Sequence, residues 1–166
     1  IKVDQIQKTD GSEFDFGKVL QVVQATDTTQ IYTTTTGSDI EFFSASITPT
    51  LASSKILVTF TAFISANPNG GFWLKRDTTK LGGTGGSSGN YNHPDNFFNT
   101  DDFSWVTHHI GPVAYSYLDS PSTSTSTTYS FGFRSASTSA QVGFNRRQSG
   151  TDSKTRSVMT LTEIAG

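Results

Sequence analysis

KILVTFTAFISA, residues Lys55–Ala66, decides the fold class. Ile56, Val58, Phe60, Ala62 and Ile64 alternate along it with Leu57, Thr59, Thr61, Phe63 and Ser65. Successive side chains of a strand point to opposite faces, so the first set forms a wholly apolar face and the second a mixed one. On a helix the same five apolar residues would scatter around the whole circumference. A strand with one apolar and one mixed face suits the middle of a two-layer β structure. Each large apolar side chain contributes roughly 1.5–3 kcal/mol when fully buried, so this strand is expected to be the core of the domain.

Towards the N-terminus, Asp39–Thr48 (DIEFFSASIT) reads as a second strand, stopped by Pro49. Thr26–Gly37 is a Thr-rich strand or loop, stiffened by β-branching but poor in apolar area. KVLQVVQ after Gly17 is a first strand, with Leu20 and Val22 expected on one face and Val19 and Val23 on the other. Residues 1–17 have too few apolar groups for a core of their own and read as a linker or stalk end. The domain proper is then 18–166. The chain opens on Ile1 rather than Met, so it is expected to be a piece of something longer.

Towards the C-terminus, Asn67-Pro68-Asn69-Gly70-Gly71 is a turn signal that closes a hairpin onto Phe72–Lys80. Leu81–Asn92 (LGGTGGSSGNYN) reads as a long loop. Phe97–His109 resumes strand character until Gly111-Pro112 breaks it, and Val113–Leu118 follows. Tyr129, Phe131 and Phe133 line one face of TTYSFGFRS, beyond a Ser/Thr loop at Asp119–Thr127. A short strand at Gln141–Phe144, a polar loop at Asn145–Lys154 and a last strand at Arg156–Ile164 complete the chain. No stretch has helical periodicity. Many short strands with closely spaced turn signals predict an all-β antiparallel β-sandwich, jelly-roll-like. Most strands carry apolar residues on both faces, more than one core uses. The surplus predicts that one sheet also packs against a neighbouring subunit, as a homotrimer.

Composition narrows the partners. Charged residues make up 16% of the chain and the net charge is −2, which gives no electrostatic reason to expect nucleic acid or an anionic membrane surface. There is no cysteine, so neither a disulfide framework nor a thiolate metal site is available. No run approaches the roughly 20 apolar residues of a spanning helix, and membrane insertion is not expected.

No catalytic pattern emerges. GGTGGSSG lacks the Lys and following helix of a phosphate-binding loop, because Asn90-Tyr91-Asn92 comes next. Adjacent His108 and His109 would face opposite sides of a strand. His93 with Asp95, near Asp101 or Asp102, could offer loop ligands but lacks the spacing of a dedicated calcium loop. His108 or His109 repeated about a three-fold axis could hold a metal between subunits; no metal or cofactor is expected. No G-x-S-x-G occurs, and the Asp101-Asp102 pair reads as solvated. The segment Tyr91–Asn99 (YNHPDNFFN) has a more informative mixture. Tyr91 offers a flat face for a sugar ring, while Asn92, Asn96 and Asn99 offer paired donors and acceptors. His93 and Asp95 add charge. Arg146 and Arg147, in NRRQSGTD, are a second candidate, since guanidinium forks suit acidic glycans.

Several phrases, taken in order, resemble tail-fibre and virion-surface fibre proteins of tailed bacteriophages, especially those of marine bacteria. They are GKVLQVVQ (Gly17–Gln24), SITPTLASSKILV (Ser46–Val58), FWLKRDTTKLGG (Phe72–Gly83), YLDSPSTSTSTTYSFGFRS (Tyr117–Ser135), NRRQSGTD (Asn145–Asp152) and SVMTLTEIAG (Ser157–Gly166). Together they cover most of the chain from Gly17 onward, and their order carries the likeness. The resemblance implies a homotrimeric β domain at a fibre end or on the virion surface, beside other virion fibre proteins. It would contact a host cell-surface glycan or an outer-membrane component, and it transfers no individual site residue. A purely structural virion component and a secreted trimeric module of the C1q or tumour-necrosis-factor type are the competing expectations. An enzyme is not expected.

Overall fold

The computed structural model describes residues 17–34, 38–66, 70–81, 98–99, 109–135 and 141–166. Among them there is no helix. The strands are β1 (Val19–Asp27), β2 (Ile31–Thr33), β3 (Asp39–Ile47), β4 (Lys55–Ala66), β5 (Gly70–Arg76) and β6 (Thr79–Leu81). They continue with β7 (Phe98–Asn99), β8 (Gly111–Asp119), β9 (Thr127–Ser135), β10 (Val142–Phe144) and β11 (Ser157–Ile164).

These strands form two antiparallel sheets in a sandwich-like arrangement. In the first, β8 pairs with residues 56–64 along one edge of β4, and β11 and β10 take successive parts of the other, at 55–61 and 64–66. Beyond them, β2 pairs with β10 and β1 with β11. In the second sheet β3 pairs with β9 and β9 with β5, while β6 and β7 share the far edge of β5. The pairings are nested in chain order: β1 with β11, β3 with β9, β4 with β8 and β5 with β6.

The alternation read from Lys55–Ala66 holds to the residue. Ile56, Val58, Ala62 and Ile64 are fully buried and Phe60 nearly so, whereas Leu57, Thr59, Thr61 and Phe63 are half-buried on the outer side. Opposite them lies Phe131, with Phe60, Phe72, Phe42 and Phe43 at ring-centroid distances of 4.5, 5.5, 5.9 and 6.1 Å. Tilted and offset ring pairs of this kind add to the stabilisation from area burial alone.

Several boundaries differ from the sequence reading, each for a physical reason. The first strand runs on to Asp27, because β11 offers it a partner at every residue from Gln21. A register shift between Val19 and Gln21 leaves Leu20 unpaired, so Val19 and Val22 share the outer face, against the expected grouping. The stretch Phe72–Lys80 is not one strand. Asp77 takes a φ of 51° and, with Thr78, turns the chain back into β6, which includes the buried Leu81. Gly111-Pro112 opens β8 rather than breaking it. Proline's missing N–H is tolerated here because β8 is an edge strand and Pro112 lies near its start.

Candidate functional site

The two ends of the sandwich are most easily named by β4. At its Ile64 end lie the start of β8, the short strands β2, β7 and β10, and the loop 145–156. At its Ile56 end lie the turns 48–54 and 77–78 and the connection 120–126.

The loop 145–156 interrupts what would otherwise be one strand made of β10 and β11. Asn145 closes the gap. Its backbone N–H donates to Phe63 O at 2.8 Å. Its side-chain amide donates to Asp27 O at 3.0 Å, and its Oδ1 accepts from Ser157 Oγ at 2.7 Å. Asn145 is fully buried with a φ of 55°, a conformation that asparagine adopts more readily than most residues. From there the chain folds over the outer face of the first sheet, where Ser65 Oγ donates to Arg146 O at 3.0 Å. Only a glycine fits beneath it at position 143. A Cβ there would stand 2.5 Å from Ser65 Oγ and 2.8 Å from Arg146 O.

This loop carries both arginines read from the sequence. Arg146 donates from Nε to Arg147 O and from Nη2 to Gly150 O, each at 3.0 Å. Its guanidinium lies 5.2 Å from the ring centroid of Tyr32, which remains 40% exposed. Arg147 Nη2 bonds both carboxylate oxygens of Asp152, and this guanidinium holds the Asp152 carboxyl below the usual carboxylate range. Arg147 Nε is buried with no hydrogen-bond partner. The two arginines thus have different surroundings: Arg146 braces the loop against an aromatic ring, while Arg147 is committed to a carboxylate.

Tyr91, Asn92, His93, Asp95 and Asn96 lie outside the described residues. Asn99 lies in β7, where its backbone pairs with Gly71 at the Ile64 end. The glycine-rich stretch 82–92 also lies outside, as does His108, while His109 is exposed. Tyr32 was not singled out in the sequence. Its neighbours, IYTTTT, gave no sign of exposure, and only the pairing of β2 with β10 brings it beneath Arg146.

The outer face of the second sheet carries an ionic cluster. Asp39 pairs with Lys75 at 2.8 Å, Lys80 at 3.2 Å and Arg134 at 3.6 Å. Burial raises the Asp39 carboxyl, but Lys75 and Lys80 more than offset this and hold it below its ordinary value. Lys75 Nζ also lies 4.2 Å from the ring centroid of Trp73, which is buried although it belongs to the outward face. Trp73 rests on Gly132, where a Cβ would stand 2.2 Å from both its ring and Ile40 O. Its Nε1 is buried and unpartnered.

At the Ile56 end two buried carboxylates flank β4. Asp119 accepts from Arg76 Nη1 at 3.0 and 2.9 Å and from Tyr129 Oη at 2.7 Å, joining the two sheets. Burial and this bond to Asp119 push the Tyr129 hydroxyl far above its ordinary pKa. Among the described residues no cation lies in salt-bridge range of Glu163. It accepts from Gln21 Nε2 at 2.6 Å, Thr50 N at 2.7 Å and Thr50 Oγ1 at 3.0 Å. Burial raises its carboxyl, yet the neutral groups of Ser54, Gln21 and Thr50 around it outweigh that and lower it overall. Ser54 also lies close, its hydroxyl buried without a partner in bonding geometry.

Among the described residues no group of three or more His, Asp or Glu side chains is placed to hold a metal ion. Tyr32 with Arg146 is an exposed flat ring beside a planar cation, which suits stacking and hydrogen bonding to a polar ring compound. No protein-family model matches this sequence, and no curated protein matches it.

Proposed function

We propose that this chain is the head of a homotrimeric phage tail fibre or virion-surface fibre, and that it binds a host cell-surface glycan. The nested strand pairing supports a jelly-roll plan, in which one long hairpin of four strand pairs is rolled into two sheets. The observation that carries the binding reading is the half-exposed Tyr32 ring under the Arg146 guanidinium, fixed on a loop held by Asn145 and Ser65. Binding residues on loops mounted on a rigid β scaffold are a common arrangement. Asn99, from the other candidate segment, lies in β7 at the same end.

The test is adsorption to host cells by the purified chain, with thermal melting as the folding control. Tyr32→Ala is expected to weaken binding by about 1–2 kcal/mol without changing the melting temperature, since the stacking face is lost and no core contact is. Undiminished binding by a folded Tyr32→Ala variant would rule this ring out. A chain that neither binds cells nor competes with virions would favour a purely structural virion role.

A further inference from the structure

We infer that copies of this chain associate through the outer face of the sheet formed by β1, β11, β4 and β8. This rests on the homotrimer reading and names its surface. Apart from Lys55, every outward position of the four strands from Val22 on β1 to Leu118 on β8 is Val, Leu, Ile, Thr, Ser, Ala, Gln, Phe or Pro. The first charge is Lys55, at the Ile56 rim. The outer face of the other sheet carries Asp39, Glu41, Lys75, Lys80 and Arg134. About a three-fold axis one part of a face meets a different part of the next copy's face, so a face carrying both signs must match its charges in register, whereas a neutral one meets no repulsion.

The shape of the face points to the same occupant. A groove of about 410 Å³ runs between β8, β4 and β11, floored by small or β-branched residues such as Thr59, Thr61, Ala114 and Thr160. On its flanks stand Val22, 57% exposed, and Leu118, 50% exposed. With Val19 they are three of the five large apolar side chains exposed among the described residues. Hollow and projections therefore lie on one surface, and a second copy supplies projections for the hollow of the first. A sugar has less to hold it here. Phe60 and Tyr115 line the groove, but Phe60 is buried among the core rings and Tyr115 packs inward beside it at 6.2 Å. No outward ring remains in the groove for a sugar to stack on. Among the described residues, the loop 145–156 reaches the Ile64 half of the face, over Ser65 and Gly143, and contributes nothing to the lining of the groove.

The test is sedimentation equilibrium on the wild type and three variants across micromolar concentrations, with melting as the folding control. The wild type is expected at three times 17.9 kDa. Thr160→Glu and Ala114→Glu each put a carboxylate in the groove, and the concentration at half-dissociation should rise at least about a hundred-fold, since a buried unpaired charge opposes association. Ser44→Glu, at an exposed position on the other sheet, should assemble as the wild type does. An assembly unaffected by both groove variants overturns this surface while leaving the trimer reading intact. A wild type that is monomeric throughout overturns both, and the adsorption test of host binding stands apart from either result.

Discussion

The two ends of the sandwich use buried polar groups in opposite ways. At the Ile56 end, Asp119 and Glu163 flank the same residue of β4, and each ties separate parts of the chain together. Asp119 joins β8 to β5 and β9 across the sheets, and Glu163 joins β11 to β1 and to the turn after β3. At the Ile64 end the buried group is the neutral Asn145, and the charges are carried outward on the loop it anchors. A carboxylate inside a protein is stable only when its acceptor sites are filled, so it fixes geometry. A cation left at the surface keeps its exchange with solvent and remains available to a ligand. One end is closed by its charges, while the other presents them.

If that contrast is right, removing Asp119 should do the most damage. Asp119→Ala leaves Arg76 and the Tyr129 hydroxyl without their acceptor in a largely buried place, and should cost about 3 kcal/mol by chemical denaturation. A loss near zero would mean that water replaces the carboxylate, and the Ile56 end is then no more closed than the other. Asn145→Ala should come next, at about 2 kcal/mol, since it removes two donated and two accepted bonds and puts alanine at a left-handed φ. Host binding should fall with it, because the loop under Arg146 loses its anchor. Asn145→Gly separates the two causes, as it relieves the backbone but not the lost bonds.

Glu163→Gln should cost about 1–2 kcal/mol at neutral pH, and its pH dependence sharpens the comparison further. The folded-state pKa of Glu163 is lowered, so its carboxylate stabilises the fold fully above the unfolded-chain value. That contribution is lost as pH falls through the folded-state value. The stability gap between wild type and Glu163→Gln should therefore be constant above about pH 5.5 and narrow below about pH 4.5. A gap that stays constant into acid would show that the carboxylate charge is not what the turn residues hold. The smallest effect is expected for Asp152→Asn, with no resolvable change in stability, because this carboxylate is solvent-exposed and its ion pair is screened. A large loss there would make the Ile64 end structurally charged as well and erase the contrast.

Local pattern was enough for some of this. The alternation of Lys55–Ala66, the Tyr129/Phe131/Phe133 face and the closing strand up to Ile164 each appear as read, because burial on one face imposes a period of two that no turn interrupts. Turns made without glycine were harder to see. Asp77 reverses the chain inside an apparent strand, and the unpaired Leu20 regroups Val19 with Val22. Both depend on which partner strand is present, and a single segment does not contain that information.

By itself, then, the sequence determined the all-β class, the central strand and the apolar face it buries. It also supplied the absence of cysteine and the low charge. These follow from composition and short-range periodicity. Only the tertiary structure decided that Tyr32 lies beneath Arg146, that Glu163 is buried among neutral donors and that Arg147 is held by Asp152. It also decided which sheet is left with an outer face almost free of charge, because that depends on which strands become neighbours. Tyr32 and Arg146 are separated by more than a hundred residues, and the strands that join them, β2 and β10, are three residues each. Pairs so short carry little signal of their own. Their positions are set by β4, β11 and β1, whose long ladders fix the register for everything beside them.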